Sequence, residues 1–356
     1  MPVSAYIVLI GAVGLCLLAV TGWWRLAFLA FRVRPASMTV QRLGLAVSDP
    51  ADVHRVNTIL QSFASGFNAM ISRPRAPQWR RYCDSLPALF GPFAHEGAAM
   101  GFTLRRLFGY RSADFEDLIV KPRPDMRYLY YVGLGFWSGM RSHGPRRLGR
   151  VVRGLDTLHL YLCYDGYGFK HGFFDYPRNP QCLGRLDAFQ GYARNAAYQG
   201  VGRAFFFRFM QRTDLLIEHV RRLGDYAADA AGGMGLASVF VFPDRLEVAR
   251  KLATALPLEW HDDFHVGMCF GLKARSLNDP EQFERDLAGA DADVRAAVWA
   301  SIRECDRIEL QVRAEGREDG YQEWRRQVAA WMADHIEYPL AGIGPEVPTP
   351  ARYQPA

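Results

Sequence analysis

Between residues 99 and 269 a small-x-small triplet recurs six times at intervals of 33 or 34 residues: Ala99-Met100-Gly101, Gly133-Leu134-Gly135, Gly166-Tyr167-Gly168, Gly200-Val201-Gly202, Gly233-Met234-Gly235 and Gly267-Met268-Cys269. A fixed period of this length is the mark of stacked helix-turn-helix units. Glycine inside a helix is less favourable than alanine by about 1 kcal/mol, so its regular return requires a packing reason. Several units carry a second small residue four positions on, as in Gly97 with Gly101, Gly135 with Gly139, Gly168 with Gly172 and Gly267 with Gly271. Such pairs let successive helix backbones approach closely. The expected fold is therefore an all-α helical repeat solenoid of about six or seven helix-turn-helix units.

One N-terminal transmembrane helix is expected to precede the repeats. Residues Ala5 to Trp24 carry no charge, Trp23 and Trp24 sit where an interfacial belt would lie, and Arg25, Arg32 and Arg34 follow. Twenty helical residues cross a hydrocarbon core of about 30 Å, and the trailing arginines place the body in the cytoplasm. The expected domains are a membrane anchor over 1–35, a repeat domain over 36–340 and a Pro-rich tail over 341–356, in a protein of the inner membrane that crosses it once.

The net charge of +6 comes largely from arginine pairs such as Arg80-Arg81, Arg146-Arg147 and Arg221-Arg222, spread along the body. Dispersed pairs read as solvated helix faces, with attraction to anionic lipid as the next reading. No nucleic-acid-binding module accompanies them, so no nucleic acid is expected as a partner. The six cysteines are scattered without a C-x-x-C pair, which fits reduced thiols rather than a zinc or redox centre.

Aligning the units on their glycines gives two columns. Glu96, Asp165 and Gln199 stand directly before a first glycine, and His95, Tyr131, Tyr164, Tyr198 and His265 stand one residue earlier. The first unit aligns on either Gly97 or Ala99. Equivalent positions in stacked repeats line one surface, so these residues are candidates for a groove that holds an extended apolar ligand. Glu96, Asp165 and His171 are the candidate acid/base groups, while His95, Tyr131, Tyr164, Tyr198, Gln199 and His265 are candidates for ligand contact. The bland reading makes the aromatics core and the carboxylates helix caps or bridges.

His261 and His265 share a helical face with Asp262 and Asp263 between them, yet no spacing supplies a third metal ligand. A polar capping segment after Pro257 explains them better. The runs beginning at Tyr128 and Leu158 resemble a strand entering a dinucleotide loop, but the glycine pattern recurs along the chain without alternating strands. No metal and no cofactor is expected. A nucleophile elbow, a Walker loop, an H-E-x-x-H helix and an aspartate-rich prenyl diphosphate motif are all absent from the sequence.

The series Phe63-Ala-Ser-Gly-Phe-Asn68, Glu96-Gly-Ala-Ala-Met-Gly101, Tyr131-Val-Gly-Leu-Gly-Phe136, Asp165-Gly-Tyr-Gly-Phe169, Gly191-Tyr-Ala-Arg194, Gln199-Gly-Val-Gly-Arg203, Gly233-Met-Gly-Leu236, Lys273-Ala-Arg275 and Trp324-Arg-Arg326 resembles the bacterial domain of unknown function 1702 family. The resemblance covers about residues 40–332. Members of that family are encoded in enediyne polyketide clusters, and some are labelled as similar to a methyltransferase-like protein of carotenoid clusters. Members with histidine directly after the phenylalanine of the D-G-Y-G-F motif differ from this chain, which has Lys170 and then His171. The resemblance implies a biosynthetic context involving polyenes and supplies no active site; the N-terminal hydrophobic segment lies outside it. Taken together with that segment, the expected protein is a membrane-anchored accessory protein of enediyne-type or related polyketide biosynthesis, binding a hydrophobic polyene, a polyketide intermediate or a partner biosynthetic enzyme. The alternative is a cyclase or isomerase that acts on a polyene or isoprenoid by proton transfer. A structural membrane-assembly module is a third class.

Overall fold

A computed structural model describes residues 30–72, 76–106 and 115–335. The described residues contain helices and no strand, so the fold is all-α. We number the nine long helices α1 (Pro50–Ser72), α2 (Gly91–Arg106), α3 (Arg127–Met140), α4 (Tyr161–Lys170), α5 (Tyr192–Phe209), α6 (Ala227–Val241), α7 (His261–Asn278), α8 (Ala292–Glu315) and α9 (Gly320–His335). A π-helical turn, His171–Asp175, prolongs α4. Short helical segments link the long ones, including Ala76–Asp84, Glu116–Val120, Pro145–Val152, Pro180–Ala188, Thr213–Arg221, Glu247–Ala255 and Pro280–Leu287.

Local chemistry sets the boundaries. Pro280 opens its segment behind Asp279, whose carboxylate accepts the Gln282 N–H at 2.9 Å. Gly316, at φ 62°, closes α8 in the left-handed conformation that a side chain disfavours.

Each helix from α1 to α7 packs against the next in sequence. Bonds across 34 or 35 residues join N-terminal halves, as in Asn195 with Asp229, and C-terminal ends, as in Arg208 with the Phe173 carbonyl and Arg275 with the Phe240 carbonyl. Neighbouring long helices therefore run parallel. The glycines set how closely they approach. A Cβ on Gly166, Gly200, Gly233 or Gly267 would stand 2.0, 1.8, 1.9 or 1.8 Å from the carbonyl oxygen of Val132, Asp165, Gln199 or Gly232. That oxygen always belongs to the residue just before the first glycine of the preceding helix. The second glycine faces the following helix: a Cβ on Gly135, Gly168 or Gly202 would stand 1.8 Å from the carbonyl oxygen of Cys163, Ala197 or Ala230. An approach this close admits only hydrogen on Cα.

The same register settles the first unit. A Cβ on Gly97 would stand 2.0 Å from the Phe63 carbonyl oxygen and one on Gly66 1.9 Å from that of Ala94, so α2 aligns on Gly97-x-Ala99 and α1 carries Ala64-x-Gly66. The triplet Ala99-Met100-Gly101 is thus displaced by two residues from the pattern. The extra residues fall in the connection between α2 and α3.

The row of helices turns back on itself. Arg55 near the start of α1 donates to the Val241 carbonyl at the end of α6 (3.1 Å) and to Asp244 (2.6 Å). Arg275 at the end of α7 donates to the Leu89 carbonyl ahead of α2 (3.1 Å), and Asn278 donates to the Asp125 carbonyl ahead of α3 (2.7 Å). The ends of α6 and α7 thereby face the beginnings of α1 to α3 across a buried interior. Helices α8 and α9 cover it, with Trp324 donating to the Cys305 carbonyl at 2.9 Å and packing on Phe270 at 4.5 Å.

The expectation of a single-pass membrane protein is corrected here. Among the described residues no helix is long and apolar enough to cross a membrane: the apolar α6 has only 15 residues, and the longer helices carry charged side chains. The segment 5–24 that prompted the expectation lies outside the described residues, as does the tail 341–356.

Candidate functional site

The position before the first glycine is where the side chain turns inward from the closest helix contact. Glu96 on α2, Asp165 on α4 and Gln199 on α5 occupy it, and all three are buried. Arg203 joins them from α5, one turn beyond Gln199. Its Nη1 donates to Asp165 in a short ion pair, and its Nη2 lies 3.9 Å from Glu96 Oε1. Gln199 Nε2 donates to the other Asp165 oxygen at 3.2 Å. The guanidinium also covers the Phe169 ring at 5.1 Å.

Two apolar cavities meet at Arg203. Leu129, Val132, Leu162, Phe240, Phe270 and Trp324 wall one, with Asp165 and Arg203 as its charged groups. Phe63, Phe93, Phe136, Phe169, Phe173 and Phe207 wall the other, with Glu96 and Arg203 as its charged groups. Each contains about 50 Å³ of free space.

Burial determines the electrostatics. Glu96, withdrawn from water and close to the Asp165 charge, is pushed from its ordinary 4.5 to about 7, although Arg203 opposes the shift. Burial also raises the Asp165 carboxyl, against the pull of Arg203 and Gln199. Asp165 is thus the carboxyl held closest to the Arg203 charge, and Glu96 is the one that exchanges a proton near neutrality.

Since the folded state binds the Glu96 proton more tightly than the unfolded state, this contribution to stability is intact below about pH 4.5 and is lost as pH rises through about 7. Glu96→Gln is expected to leave stability nearly unchanged at pH 4.5 and to raise it at pH 8 by up to ~3 kcal/mol. Urea unfolding at the two pH values measures this. Equal effects at both would mean that Glu96 titrates normally.

The column one residue earlier faces the linking segments instead. His95 bonds Asp84 (2.9 Å) and the Tyr130 hydroxyl (2.8 Å), and burial lowers its pKa. Tyr131 donates to Glu116 and accepts from the Asp156 N–H at 3.1 Å. Tyr164 packs edge-on against Phe189 at 5.1 Å, and Tyr198 stacks on Tyr226 at 4.2 Å. His265 lies 6.0 Å from His261, which is engaged with the Leu256 carbonyl at 3.1 Å. One helical step of about 100° separates this column from Glu96, Asp165 and Gln199, so of the proposed ligand contacts only Gln199 reaches the interior cluster. His171 pairs with Asp175 at 2.7 Å rather than with Asp165, and burial together with Lys170 lowers its pKa to about 4.

Arg203, the phenylalanine wall and the α9 residues Tyr321 and Trp324 carry no role in the sequence reading. Arg203 had a signal, since it follows Gln199 by one turn on the same face. The α9 residues arrive only through the turn of the helix row.

Fold and site define an all-helical protein with an ion cluster sealed at the junction of two apolar cavities. The chain belongs to the DUF1702 family, described as a protein of unknown function, which matches residues 22–332. The match begins 18 residues ahead of the expected start at 40. No curated protein and no solved structure matches the chain.

Proposed function

We propose that the protein binds an extended, unsaturated apolar chain, a polyene or polyketide intermediate, along the two cavities that meet at Arg203. The meeting point carries this reading: both walls are apolar except where Asp165, Glu96 and Arg203 converge. Aromatic walls offer π-faces to a conjugated chain, and burial of its surface contributes about 25 cal/mol per Å². The free space is far below the roughly 300 Å³ of an ordinary ligand pocket, so binding is coupled to rotation of the aromatic side chains or displacement of α9. The glycine register and the alternation of long and short helices support a helical repeat solenoid of about seven units as the rigid frame for that movement. The same frame also suits an accessory protein that holds a partner enzyme.

A second reading, an isomerase or cyclase, is favoured by Glu96 alone. A buried carboxyl titrating near 7 beside an apolar cavity is suited to donating or withdrawing a proton along a polyene.

Parinaric acid, a fluorescent polyene, tests both. Saturable binding to the purified protein is expected, weakened at least tenfold by Ala274→Trp, which fills one cavity. Absence of saturable binding to folded protein, or indifference to Ala274→Trp, would reject the site. Time-dependent change in the polyene absorption spectrum, lost in Glu96→Gln and Asp165→Asn with folding retained, would favour the enzyme; stable binding would favour the carrier.

A further inference from the structure

The π-helical turn after α4 has two faces. Phe173 and Phe174 line the phenylalanine cavity, while His171 and Asp175 face the segment Pro180–Ala188, which delivers Cys182. One nitrogen of His171, one carboxylate oxygen of Asp175 and the Cys182 sulfur all lie within 4.8 Å of one another. His171 Nδ1 is 2.7 Å from Asp175 Oδ2, and Cys182 Sγ is 3.8 Å from the His171 carbonyl. The His171 ring is fully buried, and its Nε2 has no hydrogen-bond partner among the described residues.

We propose that His171, Asp175 and Cys182 form a binding site for a divalent transition-metal ion, with zinc as the class of ion that this donor set suits. Imidazole, carboxylate and thiolate are the three ligand types of protein zinc sites, and bond lengths of about 2.0–2.3 Å imply ligand separations of roughly 3.5 Å. The 2.7 Å separation of His171 Nδ1 and Asp175 Oδ2 would widen by about 1 Å as a metal replaces their hydrogen bond, and the sulfur, within 4.8 Å of both partners, would draw in by about 1 Å at most. The Asp175 side chain is 31% exposed, so the cluster borders solvent on that side.

Lys170 occupies the place of the cation. Its Nζ donates to Asp175 Oδ2 at 2.7 Å, the same oxygen that faces His171. Metal binding displaces this ammonium towards solvent with its charge unchanged. Formation of the metal–sulfur bond releases the Cys182 thiol proton to water. Arg185 adds a second nearby positive charge, but only Lys170 bonds the Asp175 oxygen that a metal would take.

Cobalt(II), added to the reduced full-length protein, is the probe. One equivalent is expected to bind with tetrahedral visible bands and a near-ultraviolet thiolate charge-transfer band, both lost on addition of zinc. Cys182→Ser should abolish the charge-transfer band. Lys170→Met, which removes the competitor and no ligand, should tighten cobalt binding at least tenfold and carries the test if Cys182→Ser fails to fold. A folded wild-type protein without the band, persistence of the band in Cys182→Ser, or unchanged affinity in Lys170→Met would each overturn the site.

Discussion

Gly202→Ala is expected to destabilise the fold by about 3 kcal/mol or more, a larger loss than a methyl group placed in an ordinary core position produces. The added Cβ would stand 1.8 Å from the Ala230 carbonyl oxygen and 2.5 Å from its carbon, both in the backbone of α6. No rotamer change relieves a clash with main chain. Relief requires α5 and α6 to separate, and that opens the packing between Gly233 and Gln199 on the same interface. The control is Gly149→Ala in Pro145–Val152, where nothing lies within 4 Å of the new atom. There the gain in helix propensity should stabilise by up to ~1 kcal/mol. Thermal or urea unfolding of both variants decides the matter. A Gly202→Ala loss below about 0.5 kcal/mol would mean that these glycines are not what sets the helix separation.

Arg203→Met should produce a loss of comparable size that depends on pH. Removing the guanidinium leaves Asp165 and Glu96 facing each other in a sealed interior, and breaking a buried ion pair by deleting one partner costs about 3–5 kcal/mol. Both carboxyls are already raised by burial, and loss of their cation raises them further. Raised carboxyls stabilise the protonated folded state, so the penalty should be small near pH 4.5 and approach its full value at pH 8. Adding Glu96→Gln to Arg203→Met should recover part of the loss at pH 8, since one buried charge is removed. A deficit that is the same at both pH values would show that Arg203 acts through packing on Phe169 rather than through charge.

That Glu96, Asp165 and Gln199 share one column was legible because periodicity alone places them at one helical position. Its neighbours His95, Tyr131, Tyr164, Tyr198 and His265 share the same period, but a period does not say which of two adjacent positions points inward. That depends on the side from which the next helix approaches, which is fixed by the carbonyl contacts of Gly166, Gly200 and Gly233. His171 looks close to Asp165 along the chain, yet the π turn aims it at Asp175.

By itself the sequence determined the all-helical character, the step from one long helix to the next and the shared helical position of Glu96 and Asp165, because helix periodicity and the absence of a glycine side chain are local properties. Only the tertiary structure decided that Arg203 lies between those carboxylates, that Tyr321 and Trp324 close over them, and that Gly97 rather than Ala99 begins its unit. Those outcomes depend on how far the row of helices turns before its ends meet, a sum of small rotations at successive interfaces that no single stretch of residues encodes.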